Sequence, residues 1–363
     1  MAEQAAVLVF TEHLNATWFL NFVAPAVPSD GPQLIARAAS NFSDASPDAF
    51  LAGLEADIAR QNVRGIILSR YVEPHVDVIT QCCQRHGIPL FFHIDDYLFA
   101  VPADLGAVYL ERYGAGFRAQ LDAAISGCDA VLCSTPYLAG LMQARYPDKR
   151  IRALTGTCHL PYPGPRLALR SRLARLRQRL ATRQNITIGY AGSSSHVRDL
   201  QLCLPAIEQL LAERPEVRFQ TFGIPVPAAL RERWGARVSS IGYTRDYTGY
   251  LAALYELGWD LGLAPLVDDE FNRAKTATKL IEYTACGIPA LCSDVEPYRR
   301  AYGNATKGLV SPSDWYPAMQ ALLDDVATRR QLLAAAEQAA MAAAPGIAGR
   351  TLARALDLTN GGS

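Results

Sequence analysis

Lysine is nearly missing from this chain. Of 35 basic side chains only four are lysines, at 149, 275, 279 and 307, and the other 31 are arginines. Net charge is missing too: 35 acidic side chains balance the basic ones at neutral pH, which removes any global attraction to nucleic acid. No apolar run reaches the length of a membrane span. The opening stretch, MAEQAAVLVFTEHLN, has no basic leader and reads as a first strand rather than a signal peptide. The eight cysteines (82, 83, 128, 133, 158, 203, 286, 292) form no CxxC pair and no zinc spacing. Most lie in apolar runs, so they read as small buried hydrophobes in a reducing, cytoplasmic compartment.

What is present is alternation. At 363 residues, half of them apolar, the chain is long for one core and suits two domains. Strand-like runs in the first half are AAVLVF (5–10), RGIILS (64–69), IPLFFHI (88–94), DAVLCST (129–135) and IRALTG (151–156). Helical patterns fall near 47–61, 75–86, 105–126 and 136–146. The second half repeats the scheme with ITIGYAG (186–192), VRFQTFG (217–223), RVSSIGY (237–243), DLGLAPL (260–266) and IPALCSD (288–294). Its helices are expected near 197–213, 246–257, 277–286 and 313–340. Near-continuous apolar strands alternating with helices predict parallel sheets covered on both faces. The expected fold is α/β, with two Rossmann-like domains: 1–160 and 185–345, with a C-terminal helix or tail at 346–363.

Between them, TCHLPYPGP breaks regular structure with proline and glycine. RLALRSRLARLRQRLATR (166–183) then carries seven arginines and no acid, with Leu169, Leu173, Leu176 and Leu180 at helical spacing. This basic linker helix, within 161–184, suits a solvated connection whose leucines pack on the protein. It also suits contact with an anionic membrane surface.

Two of the four lysines fall together in FNRAKTATKLIEY (271–283). The stretch follows the strand DLGLAPL and leads into a helix that Gly287 and Pro289 end. It therefore lies at the carboxyl edge of a parallel sheet, where ligands bind, and at a helix start, where backbone N–H groups favour an anion. Lys275, Lys279 and Glu282 have i, i+4, i+7 spacing and can share one helix face. Lysines at a helix N-terminus oppose the macrodipole, a conflict that a bound diphosphate would resolve. A glutamate one turn deeper can accept from a ribose diol. The same spacing also suits a Lys279–Glu282 surface pair worth roughly a few tenths of a kcal/mol.

FNRAKTATKLIEYTACGIPALCSDVEPY resembles the donor-site motif of GT-B glycosyltransferases, closest to the glycogen-synthase-like group that builds bacterial polysaccharides. The resemblance implies two Rossmann-like domains facing each other across a cleft. The glutamate before the family's AxGxP binds the donor ribose, which implies that role for Glu282. The family's second glutamate, eight positions earlier, is replaced here by Ala274, and FNxxKTxxK, with Asn272 and both lysines, stands in its place.

NITIGYAGSSSHVRDLQ (185–201) resembles the head of the GT-B donor domain. Gly192, Ser193, Ser194 and Ser195 let backbone approach a phosphate, and His196 and Arg198 supply positive donors. In IGYTRDY (241–247), Tyr243 or Tyr247 could stack on a base and Thr244 could bond its edge, or these are ordinary loop aromatics. In FFHIDDYLFAVP (91–102), His93, Asp95 and Asp96 end a strand. Adjacent carboxylates there need solvent, cations or a use, although a capping aspartate is also common. The run resembles the family's segment that contacts the transferred sugar or takes the acceptor proton. His13, Asn15 and His159 read as structural, and Ser134, Thr135 and Pro136 as a strand end and helix start.

The resulting expectation is a glycosyltransferase moving a sugar from a nucleotide-diphosphate sugar to a hydroxyl of a saccharide or lipid-linked acceptor, in cell-surface polysaccharide or glycoconjugate synthesis. No metal and no cofactor are expected, because GT-B enzymes generally hold the diphosphate with protein cations and dipoles. The location expected is cytoplasmic, peripheral to the inner membrane face if 166–183 touches lipid. A nucleotide-sugar epimerase and a non-catalytic scaffold on the same fold are the alternatives.

Overall fold

The structure is a computed structural model that describes residues 5–24, 32–154, 185–242, 244, 246–303 and 306–357. The arginine-rich linker, His159, Cys158 and Tyr243 lie outside the described residues. Contacts divide the chain into two units: Met1–Cys158 with Arg273–Thr276 and Ala343–Ser363, and His159–Asn272 with Ala277–Ala342.

The first unit is built on six parallel strands: β1 (Ala6–Thr11), β2 (Gln33–Ala38), β3 (Val63–Ser69), β4 (Leu90–Ile94), β5 (Ala130–Cys133) and β6 (Arg150–Ala153). Their order is β2-β1-β3-β4-β5-β6. Side chains alternate between the two faces, as a pleat requires. Leu8, Phe10, Ile66, Leu68, Phe92 and Val131 enter one cluster, while Val7, Val9, Ile67, Phe91 and Leu132 enter another. Both faces are therefore dry, which explains the unbroken apolar runs. The helix Pro345–Ala355 covers the second face with Leu352 and Ala355, so the C-terminal stretch packs in this unit.

The second unit also holds six parallel strands: β7 (Ile186–Ala191), β8 (Val217–Phe222), β9 (Val238–Ile241), β10 (Leu261–Ala264), β11 (Ala290–Ser293) and β12 (Leu309–Val310). Their order, β12-β11-β10-β7-β8-β9, is the 3-2-1-4-5-6 order of dinucleotide-binding sheets. Strand Gly189 has no side chain because the ring of Trp259 covers it; a Cβ there would lie 1.8 Å from that ring. Trp259 is buried, and its Nε1 donates to Gln220 Oε1 at 2.8 Å.

In each sheet the strand order reverses once, between β1 and β3 in the first and between β7 and β10 in the second. Loops diverge at the carboxyl ends of such strands and leave a crevice there. Gly192, Ser193 and Ser195 follow β7 in this way, and Asp95 and Asp96 follow the neighbouring strand β4.

The seven described cysteines are buried thiols outside any disulfide, as their apolar settings predict. Among the described residues, Glu55, Cys82 and His86 bring ligand atoms within 4.8 Å of one another. Glu55 is already paired there with Arg85 at 3.2 Å.

Candidate active site

In the second unit the loop after β7 turns at Gly192. A Cβ on Gly192 would come within 3.1 Å of the Tyr190 ring, so glycine lets the loop lie against that ring. Ser193 and Ser195 share a hydroxyl hydrogen bond of 2.9 Å, and the Tyr190 hydroxyl donates to the His196 carbonyl at 2.8 Å. His196 Nδ1 lies 2.8 Å from Oδ2 of the buried Asp199. The other oxygen of Asp199 accepts from the backbone N–H of Val267 at 3.0 Å. Asp199 thus ties the loop after β7 to the loop after β10, across the reversal of the sheet. Burial alone would raise its pKa, but His196, the Val267 N–H and Lys279 together hold it below the usual carboxylate range.

Arg198 pairs with Asp269. Asp269 also accepts from the N–H of Asn272 at 2.7 Å, at the start of the short helix Glu270–Arg273. Asn272 is buried, and its Nδ2 donates to the Val267 carbonyl at 2.9 Å, bracing the loop that carries Asp269. Thr244 is half-buried, beside Gly249 in the helix Tyr247–Leu257.

The lysine motif corrects one expectation. The helix begins only at Thr278 (Thr278–Ala285), so Lys275 precedes it and shares no helix face with Lys279. By contact Lys275 belongs with the first unit and Lys279 with the second. The reason lies at Ala274: this residue is fully buried in the first unit's core, and its carbonyl accepts from Thr135 Oγ1 at 2.9 Å. The chain is held there before it turns into the helix at Thr278. A glutamate at 274 would have to enter that core, so the departure from the E-x7-E pattern is structural as well as chemical.

Lys279 and Glu282 do share the helix, but not as a surface pair. Lys279 is 8% exposed and Glu282 is 6% exposed. Lys279 Nζ lies 5.8 Å from the Tyr190 ring centre, within cation–π range. Glu282 receives one hydrogen bond on each oxygen, from the Tyr247 hydroxyl at 3.0 Å and the Tyr250 hydroxyl at 2.9 Å. Burial pushes its pKa up to about 7, against the pull of the two tyrosines and Lys279. Burial, with the glutamate beside them, raises both phenols well above their ordinary value, so they stay donors.

In the first unit β4 delivers His93 and, just beyond its end, Asp95 and Asp96. His93 is fully buried. Its Nδ1 lies 3.0 Å from Ser69 Oγ, its ring meets Phe22 edge-on at 4.9 Å, and Nε2 has no partner among the described residues. Burial, with the Arg70 charge, lowers its pKa to about 4 despite Asp95, so the ring is neutral near pH 7.

Arg70, at the end of β3, organises the carboxylates. Its Nη1 reaches Asp95 at 3.1 Å and Asp96 at 3.2 Å, and its Nη2 donates to the Tyr113 hydroxyl at 2.9 Å. Thr17 donates to the second oxygen of Asp95 at 2.5 Å. Burial works to raise both carboxyls. At Asp95 it is overcome by Arg70, His93 and Thr17, and the pKa falls; at Asp96 burial and the Asp95 charge outweigh Arg70 and Lys275, and the pKa rises. The two aspartates are thereby split into a fixed anion and a more basic neighbour.

The structure therefore gathers Gly192, Ser193, Ser195, His196, Arg198, Asn272, Lys279 and Glu282 in the second unit. It places His93, Asp95, Asp96 and Lys275 in the first. Arg70, Thr17, Asp199, Asp269 and Tyr250 were not foreseen. Arg70, Thr17 and Tyr250 have partners distant in sequence, and Asp199 and Asp269 each join a neighbour three positions away to a residue about 70 positions away.

No protein-family model matches the chain, and no curated protein matches it significantly. Solved structures do. Sucrose-phosphate synthase from Thermosynechococcus elongatus superposes with a TM-score of 0.63 at 14% identity, covering 98% of each chain. An alpha,alpha-trehalose-phosphate synthase (UDP-forming) from Burkholderia vietnamiensis gives 0.60 at 14% identity, covering 98% of this chain and 97% of its own. WaaG, a glycosyltransferase involved in lipopolysaccharide biosynthesis, gives 0.58 at 16% identity, covering 99% of this chain and 100% of its own. At such identities the likeness establishes the fold: it is the GT-B fold of these glycosyltransferases, as the 271–294 motif led one to expect.

Proposed function

We propose that this GT-B chain is a glycosyltransferase that moves a sugar from a nucleotide-diphosphate sugar to an acceptor hydroxyl. The observation that carries the reading is the buried Lys279–Glu282 pair on one helix, beside the Gly192–Arg198 loop at the reversal of a dinucleotide-type sheet. A buried ammonium at a helix start is expensive unless it has anions to meet. Lys279 acts electrostatically on Asp199 and Glu282, and a diphosphate is a further anion of the kind such an ammonium meets.

In this reading the second unit binds the donor. Backbone at 192–195, with His196, Arg198 and Lys279, neutralises the nucleoside diphosphate as its charge grows in the transition state, in place of a bound metal. Lys275 is the further cation of the motif. Glu282, held by two phenols, retains lone pairs for the ribose hydroxyls. A uridine nucleotide is the first donor to try, since one structural relative is named as UDP-forming.

The first unit binds the acceptor. Asp96, the more basic carboxylate, takes the acceptor proton. Asp95 and Arg70 position it, and the neutral His93 lies buried behind Ser69 and Phe22. The physiological acceptor is a saccharide or lipid-linked saccharide of the cell surface, and segment 166–183 would meet the anionic membrane face that carries it. Among the described residues no helix is long and apolar enough to cross a membrane.

The test is release of nucleoside diphosphate from a panel of nucleotide sugars, with and without added saccharides. Release that depends on acceptor supports the reading. Conversion of the donor to a stereoisomer without acceptor would mean an epimerase, and no turnover of any donor would mean a scaffold.

A further inference from the structure

The first unit has a cavity that the donor chemistry leaves unused. It has a volume of about 380 Å³, within the range of small-molecule sites of roughly 300–1,000 Å³. Its walls come from the loop after β1, the loop after β3, and the helices Ala107–Arg112 and Ala115–Gly127. β1 and β3 are the strands between which the sheet order reverses, so the cavity occupies the ligand crevice of this sheet.

Its lining has a consistent chemistry. Arg112 Nη2 pairs with Glu12 Oε2 at 2.6 Å, Gln120 Nε2 donates to Glu73 Oε2 at 2.9 Å, and Arg70 donates to the Tyr113 hydroxyl. The rings of Tyr113 and Phe117, edge to face at 5.1 Å, line the same cavity. A pyranose presents the complementary surface: C–H faces that lie on aromatic rings, rimmed by hydroxyls that both donate and accept. Planar side chains that pair with each other offer such hydroxyls both donors and acceptors.

The charges decide which saccharide. Arg112 is answered by Glu12, and Arg70 is answered twice, by Asp95 and Asp96. Glu73 adds a further negative charge to the lining. A phosphate would bring two negative charges to a wall that already carries Glu12 and Glu73 and whose Arg70 is held by two carboxylates. Arg70 also holds a left-handed backbone, φ +52°, which is uncommon for a residue with a side chain. Such a conformation persists where the surroundings hold it in place, and it clusters at ligand sites.

We propose that this cavity is a saccharide subsite that takes an uncharged, unphosphorylated sugar. It rests on the glycosyltransferase reading in so far as that sugar is the acceptor. Arg70, which both lines the cavity and holds Asp96, would place a sugar hydroxyl next to that carboxylate.

The experiment is saturation-transfer NMR on the full chain with glucose, galactose, N-acetylglucosamine, maltose and glucose 6-phosphate. Wild type, Phe117→Ala and Gln120→Ala are compared, with UDP calorimetry on each. At least one neutral sugar should bind, glucose 6-phosphate should bind no better than glucose, and each variant should bind the sugar about tenfold more weakly with UDP binding unchanged. Gln120→Ala guards against misfolding of the Phe117 variant. No neutral sugar bound, sugar binding unaffected by Gln120→Ala, or a preference for glucose 6-phosphate would each overturn the subsite. Nucleotide binding without sugar binding would overturn the subsite alone, whereas sugar binding with no binding of UDP, GDP, dTDP, CDP or ADP would sink the glycosyltransferase reading alone.

Discussion

The Tyr250 hydroxyl donates to Oε2 of Glu282 at 2.9 Å, joining two residues 32 positions apart. Tyr250 in turn stacks on Phe222 with ring centres 5.0 Å apart. The carboxylate is thus held by groups that cannot themselves move freely.

This environment makes Glu282 a pH-dependent element. Its folded pKa, about 7, lies above the ordinary 4.5, so the folded state holds a proton that the unfolded state has released. Stability should therefore fall as pH rises between about 4.5 and 7, by as much as about 3 kcal/mol. Glu282→Gln should flatten that slope. Denaturant melts of both proteins at pH 5 and pH 7.5 check this, and parallel slopes would contradict it.

Arg70 should matter to stability as well as to turnover. Arg70→Ala leaves two mostly buried carboxylates without their cation, a loss on the order of 3 kcal/mol. Both carboxyls should then protonate at higher pH, moving the acidic limb of the pH–rate profile upward. A melt and a profile measured together separate this from a purely structural defect, which would leave the limb in place.

The two aspartates should respond differently. Asp96→Asn should keep nucleotide affinity and lower kcat by about 10²–10⁴-fold, the range of a lost general base. Asp95→Asn should lower the melting temperature more, because Asp95 carries the bonds to Thr17 and Arg70. Equal kcat in wild type and Asp96→Asn would remove Asp96 from the chemistry.

Gly189→Ala tests the donor sheet. The added methyl meets Trp259 within the core, and overpacking there should cost about 3 kcal/mol or more. Thermal unfolding of the variant reads this directly, and a change of less than half that size would mean that the tryptophan moves aside.

Much of this architecture was legible because parallel strands buried on both faces carry unbroken apolar runs, as in FFHI and ITIGYA. β2 escaped because QLIARA is a half-exposed edge strand containing an arginine, and β12 because it is only two residues long. The helix expected over 197–213 is two, Val197–Gln201 and Leu204–Glu213, with Pro205 opening the second. That expected over 313–340 also divides, at Asp325, whose carboxylate caps Ala327 and Thr328. At the site, Glu282, His196 and the Asp95–Asp96 pair were readable from local motifs. Arg70 was not: its bonds to residues 25 and 26 positions away exist only once β3 and β4 lie side by side.

The most direct test of the account is calorimetric titration of UDP, GDP, dTDP, CDP and ADP, with and without magnesium, into wild type and Lys279→Ala. The account predicts selective binding of one nucleoside diphosphate, weakened in the variant by about 1.5–3 kcal/mol, the scale of a charge-assisted hydrogen bond. Equal affinity in the two proteins, or no binding to any of the five, would contradict it.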